Sequence, residues 1–268
     1  MSETSNQVQE DEMVQSIIND GANALVVNPS TTFLQQLIMA LSESDPQGHV
    51  RIAAEEDVLK TIRNEFIVAA KTSELVEDGI IEVVQTTENM SSGVMITDDM
   101  MSGLIDLEST LALTEQQELE SEVEEAVEDV WRSSESFQLR TPSFETIHST
   151  MSEDISEEVA DEYQQVLDYV GSFEPESKFD EVAVALLVAA RNNLLLYDIS
   201  KWGEDSGLAS KATFSRTKTH LESMGHIHTE KVPIDVGRPR LRLTLSDELE
   251  GISIEDTVTT IQQQMISA

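Results

Sequence analysis

The chain has no cysteine, which excludes disulfide cross-links, thiolate metal sites and a cysteine nucleophile and leaves packing to hold the interior. Basic residues are scarce: seven lysines and nine arginines face 52 carboxylates, for a formal net charge of -36 over 268 residues. No apolar run approaches the roughly 18 residues of a membrane span; the longest, Val182 to Ala190, has the length of a buried helix. The N-terminus, MSETSNQVQEDEM, lacks the basic region and apolar core of a signal peptide. The expectation is a soluble cytoplasmic protein. Also missing are GxGxxG and P-loop phosphate motifs and any recognisable spacing of nucleophile and base. No catalytic residue, cofactor or metal is assigned, and an enzyme is not expected.

What is present is enough apolar residue, 39%, to build cores of ordinary size. The acids are spread over helix faces. Charge of this magnitude repels itself and is tolerable where molar salt shrinks the Debye length to about 3 Å, which points to an extreme halophile. The excess is uneven. Residues 1–177 hold 39 acids and six bases, residues 178–268 hold 13 and ten, and from Gly207 to Leu245 seven bases (Lys211, Arg216, Lys218, Lys231, Arg238, Arg240, Arg242) outnumber three acids. Positive charge concentrated on one short stretch of an acidic chain is the electrostatic footprint of a duplex-DNA reader.

Taken in order, residues 1–12 read as a disordered tail, and Met13 to Asn19 begin a helix. Apolar runs at Ala24 to Asn28, His49 to Ala54, Ile80 to Gln85 and Gly93 to Thr97 predict strands, the last followed by one more strand or by a turn and strand. Between them, Phe33, Leu34, Leu37, Ile38 and Leu41 line one helix and Val58, Leu59, Ile62 and Phe66 a second, running from Glu55 to Leu75. Strand, helix, strand, helix, strand is the order of a small α/β domain with a mostly parallel sheet. Helical spacing then predicts helices over 114–131 and 152–170, separated by a break at Leu139 to His148 containing Pro142. Gly171 to Pro175 is the expected domain joint. Beyond it come an almost wholly apolar helix, Phe179 to Asn192, and a final helix, Ile252 to Ile266, with Ile254, Val258, Ile261 and Met265 at helical spacing. That last helix packs either on its own domain or on a partner.

The basic stretch, Ile199 to Leu245, reads as helix, glycine turn at Gly207, helix and two-stranded hairpin. With Phe214 inward, Leu221 returns to within about 20° of it, so the two make the buried seam of a helix from Ser210 to Met224, closed by Gly225. Opposite the seam lie Ala212, Ser215, Arg216, Thr219 and Ser223, small or hydrogen-bonding residues suited to base edges, with Arg216 able to bind guanine bidentately. Lys211, Thr213 and His220 flank that face where phosphates would lie. In the hairpin, Leu241, Leu243 and Leu245 alternate with Arg240 and Arg242, giving a core face and a cationic face, with Arg238 at the tip. Glu204 and Asp205, on the preceding helix, should not face phosphate.

Over about residues 178–247 the stretch resembles the winged helix-turn-helix DNA-binding domains of archaeal and bacterial transcriptional regulators: SKATFSRTKTHLESMGHI is similar to their recognition helix and VGRPRLRLTL to their wing. Lys218 departs from the pattern, since such helices more often bury an aliphatic there. The whole chain looks like a haloarchaeal family of TbsP-like transcriptional regulators, and that resemblance implies control of metabolic genes. The N-terminal domain is also distantly similar to phospholipase-D-like sensor domains of archaeal sugar-responsive regulators, without the His-x-Lys signature of the hydrolases.

The expected architecture is therefore α/β overall: a disordered tail (1–12), a small, mostly parallel α/β sensor or dimerisation domain (13–112), a helical connector (113–173), a C-terminal winged helix-turn-helix domain (174–250) and a last helix (251–268). Expected partners are double-stranded DNA, a second copy of the chain in a homodimer, and a small-molecule effector in the N-terminal domain. Two other classes stay open, an α/β enzyme and an adaptor, each using the winged helix for protein contacts. Other groupings have plainer explanations. His226, His228 and Glu230 alternate along one strand without a fourth metal ligand. Asp98 and Asp99 form a turn or a polar-ligand site, and Asn28 to Thr32 an N-cap or an anion site. The glutamate run from Glu115 to Asp129 is a solvated face.

Overall fold

The computed structural model describes residues 21–87, 92–97, 101–107, 110–116, 121–171, 179–234 and 237–266. The chain divides into two compact units, Met1–Asn64 with Val68–Leu139, and Glu65–Ile67 with Arg140–Ala268.

In the first unit, β1 (Ala24–Val27) is buried at every position because both its faces are covered. Ser30 accepts a hydrogen bond from the Phe33 amide at 3.2 Å and so starts α1 (Thr31–Ser42), which buries Phe33, Leu34, Leu37, Ile38 and Leu41. The chain returns through β2 (Val50–Glu55), parallel to β1. The expected single helix over 55–75 is two: α2 (Glu56–Asn64) and α3 (Phe66–Glu77). The apolar pattern changes between them: α2 is amphipathic, with Leu59 and Ile62 inward, whereas Phe66 to Ala70 are all buried, and one straight helix does not serve both environments. β3 (Ile81–Thr86) then pairs parallel with β2.

After β3 the connections are too short for crossovers, so the added strands run antiparallel. β4 (Gly93–Thr97) lies against β1, β5 (Met101–Leu107) against β4, and β6 (Thr110–Gln116) against β5. The helix expected from Thr114 begins only at Ser121, as α4 (Ser121–Ser133); residues 110–116 are drawn into a seven-pair ladder with β5. A two-residue strand, β7 (Glu135–Ser136), closes the sheet order β6-β5-β4-β1-β2-β3-β7 among the described residues. Helices α1 to α3 pack on the face of Val26, Ile52 and Val83, and α4 lays Val127, Val130 and Trp131 on the face of Leu25, Ala53 and Val84. Arg51 fastens α4 by two hydrogen bonds to Glu128, at 2.5 and 3.1 Å, with its guanidinium 5.4 Å from the Trp131 ring centre.

The second unit opens with helix where a break was expected. Ser143 caps α5 (Phe144–Asp154), the chain leaves the helix at Ile155, and Ser156 caps α6 (Glu157–Val170). Each serine hydroxyl satisfies an amide of the first turn, so the span expected as one helix over 152–170 is the end of one and the whole of the next. The region expected as a connector is thereby shared, α4 with the sheet and α5 and α6 with the second unit. Of the expected joint, Gly171 (φ +65°) ends α6, and residues 172–178 lie outside the described residues. Asp180 caps α7 (Glu181–Arg191), whose Val182 to Ala190 are all buried at the centre of the unit. The last helix, α10 (Ile254–Ile266), packs on its own unit against α6, burying Ile254, Val258 and Ile261 and joining Tyr169 Oη to Thr259 Oγ1 at 3.0 Å. The side chain of Met265 lies outside those described. Among the described residues no helix is long and apolar enough to cross a membrane.

Candidate nucleic-acid interface

The site is built on two helices and a hairpin. α8 (Leu196–Asp205) is anchored by Trp202, which is 1% exposed, donates its indole N–H to Thr150 Oγ1 at 3.1 Å and meets the Tyr163 ring edge to face at 6.0 Å. Gly203 lies directly against the next helix: a Cβ there would come within 2.2 Å of the Phe214 ring. Gly207, at φ +84°, turns the chain, and Ser210 caps α9 (Lys211–Ser223) by accepting the Thr213 amide hydrogen bond at 3.2 Å. The helix ends at Met224, and Gly225 follows in the left-handed conformation.

α9 has two faces. Phe214 and Leu221 are wholly buried. Ala212, Ser215, Arg216, Thr219 and Ser223 are exposed on the other side, Lys211 is exposed, and Thr213 and His220 are half-buried. Arg216 makes one long bond, 3.4 Å, to the Thr213 hydroxyl. Lys218 is drawn in, its side chain 12% exposed and its ammonium 2.8 Å from Glu222, which also accepts from Thr229 at 2.7 Å. Lys218 first and Thr229 next hold the Glu222 carboxyl below its ordinary range. Glu222 thus ties α9 to the following strand through Thr229, and Lys218 neutralises it from within the helix.

That strand, β8 (Ile227–Val232), pairs antiparallel with β9 (Arg240–Leu245) from Ile227 opposite Leu245 to Val232 opposite Arg240. The chain before α8 adds to the hairpin: Leu195 bridges Arg242, and the Leu243 amide donates to the Leu194 carbonyl at 2.8 Å. Leu243 and Leu245 are buried and Arg242 is exposed. Arg238 is exposed near the tip, of which residues 235–236 lie outside the described residues.

Two of the expected cations are not free. Arg240 was expected on an open cationic face; instead its guanidinium lies 3.5 Å above the centre of the Tyr197 ring and 3.5 Å from Asp198, both on α8. The planar cation gains more from an aromatic face and a carboxylate together than from water alone. Lys211 is paired with Glu204, also on α8; this pairing holds the lysine above its ordinary pKa. Among the described residues, Arg238 and Arg242 make no ion pair. Tyr197, Lys211, Ser215, Ile234, Arg238 and Arg240 line a cleft of about 420 Å³ between α8, the start of α9 and the hairpin.

Other groupings do not converge. His226 is buried at 4% exposed, with its Nε2 lacking a hydrogen-bond partner among the described residues, whereas His228 and Glu230 are exposed. Burial first, then the nearby His220, lowers the His226 pKa. Asp98 and Asp99 lie outside the described residues, as do residues 117–120 of the glutamate run. In Asn28 to Thr32, Ser30 is the cap of α1. Sequence reasoning missed Tyr197, Asp198 and Gly203. The first two carried a faint signal, an aromatic-acid pair one turn before Trp202, and the third none, because the need for glycine arises only where two helices meet.

The chain matches two family models end to end. Residues 3–142 match the N-terminal domain of the TbsP-like transcriptional regulators, and residues 143–262 match their C-terminal HTH domain; the boundary falls within a few residues of the division between the two units. No curated protein matches the chain. Among solved structures it is similar to TrmBL2, an archaeal chromatin protein whose structure is described as showing a novel mode of DNA binding. The identity is 12%, the TM-score 0.37, and the match covers 50% of this chain and 51% of that one; the chain spans about half the length of that relative, and a likeness this loose bears no weight. With both halves accounted for by the domains of one family, the chain belongs to the TbsP-like transcriptional regulators, built as an N-terminal sheet domain followed by a C-terminal helix-turn-helix domain.

Proposed function

We propose that this regulator is a winged helix-turn-helix protein that reads the major groove with α9 and clamps the duplex with the β8–β9 hairpin as its wing. The observation that carries the reading is the division of α9: Phe214 and Leu221 are fully buried, and Ala212, Ser215, Arg216 and Thr219 are presented together on the exposed side. In this reading those four face base edges, with Arg216 available for a guanine. Lys211, Thr213 and His220 flank the groove, and Arg238, Arg240 and Arg242 meet the backbone or the minor groove.

One helix reads too few bases for useful specificity, so the protein acts as a homodimer on two half-sites. The N-terminal unit, which carries 28 acids against five bases, is repelled by phosphate and serves instead to dimerise, to bind a small-molecule effector, or both. The acid excess supports a halophilic archaeal host, where counterion release adds little to binding and recognition leans on base contacts and DNA shape. Metabolic genes are the proposed targets. Genome-wide occupancy in the native host, with the carbon source varied, tests this. Sites sharing one motif and changing with carbon source are expected, and the absence of any shared motif contradicts it.

A further inference from the structure

Both cations of α9 and the hairpin that enter the cleft and carry an ion pair, Lys211 and Arg240, have their carboxylate partner on the same element, α8. Glu204 holds the Lys211 ammonium, and Asp198 stands 3.5 Å from Arg240 while Tyr197 covers its guanidinium. Each carboxylate meets its cation as a phosphate oxygen does, an anionic oxygen within ion-pair range of an ammonium or a guanidinium. The pairs are exposed on both sides, with side-chain exposures of 45% and 47% for Lys211 and Glu204 and 32% and 50% for Arg240 and Asp198, so they exchange readily with solvent ions. In a third pair, Lys201 with Asp205 at 2.6 Å, the cation is itself on α8 and, unlike Lys211 and Arg240, does not line the cleft.

We propose that Glu204 and Asp198 act as internal phosphate mimics, so that binding the duplex backbone is an exchange in which a DNA phosphodiester displaces each carboxylate from its cation. This rests on the DNA-reading role of α9 and the hairpin. Its consequence is a device suited to changing salt. In dilute salt the acids compete with DNA for Lys211 and Arg240 and restrain non-specific binding. In concentrated salt the internal pairs are screened along with the phosphate contacts, and the free energy of binding changes less than the number of contacts alone would give. Tyr197 keeps the released Arg240 at the cleft, since its stacking survives when Asp198 is displaced.

The test is fluorescence anisotropy of the full-length protein on a labelled duplex carrying its selected site and on an unrelated duplex, over a salt series. Glu204→Gln and, separately, Asp198→Asn should each tighten binding to both duplexes about two- to fivefold at the lowest salt and steepen the dependence of affinity on salt. The gain from Glu204→Gln should vanish in a Lys211→Met background, because the effect runs through that one ammonium. Asp205→Asn, the same change of charge one residue away, should gain less. Unchanged affinity in both acid variants, or an equal gain with and without Lys211, overturns the exchange and leaves the DNA-reading role standing. A wild-type protein that binds neither duplex at any salt overturns both.

Discussion

Arg216 is the long cation on the side of α9 opposite Phe214 and Leu221, and its one bond among the described residues is a weak one to Thr213, so its guanidinium is available at little cost. Arg216→Ala should lose about 1–3 kcal/mol of discrimination at one base position and relax the consensus there, read by competition among duplexes differing at single positions. Arg238→Ala should weaken binding to all sequences alike and lower the salt slope by about one. A different residue decides whether the site exists at all. Gly203 lies where a Cβ would collide with the Phe214 ring, a side chain that is wholly buried. Gly203→Ala should destabilise the C-terminal unit by about 1–3 kcal/mol, seen as a lowered midpoint in urea, and an unchanged midpoint contradicts the close crossing of α8 and α9.

The elements differ in how well the sequence announces them. Those with a clean period were legible: β1 as a continuous apolar run, α1 from five inward residues, α7 from its wholly apolar middle, and α8, α9 and the hairpin from seam, turn and alternation. Where two signals overlap, the sequence is ambiguous. The stretch around Thr114 suits either a strand ladder or a glutamate-rich helix, and pairing with β5, a contact distant in kind from any local propensity, decides it. The serines at 143 and 156 are ordinary N-caps, but a helical stripe running on through Ile155 hides the interruption. At the candidate site the faces of α9 were legible because helical geometry fixes them, whereas the pairing of Lys211 and Arg240 with α8 depends on tertiary contact and was not.

The start of α7 carries a consequence of its own. Burial, helped by the neighbouring Asp180, pushes the Glu181 carboxyl up to about 7 from an ordinary 4.5. An acid with a raised folded pKa binds more protons in the native state between those values, so its contribution to stability falls as pH rises from about 4.5 through about 7 and then levels off. Glu181→Gln should remove that slope and leave the variant more stable than wild type at pH 8, by up to roughly 3 kcal/mol, with little difference at pH 4. Urea unfolding at the two pH values checks it. An equal difference at both would place the effect elsewhere.

At the scale of the whole molecule, the two units differ in charge density. The sheet domain is covered by helices on both faces and strongly acidic, and the helix-turn-helix domain gathers seven of the chain's sixteen bases onto α9 and the hairpin. A dimer on DNA predicts that selected sites are two-fold symmetric with half-sites about one helical turn apart. In the proposed function, the exposed face of α9 reads sequence. The most direct measurement is selection of bound duplexes from a randomised pool, at fixed salt, by wild type and by Arg216→Ala in parallel. A defined motif from wild type, with one position in each half-site losing its preference in the variant, is the predicted result; the same motif from both proteins, or none from either, would contradict it.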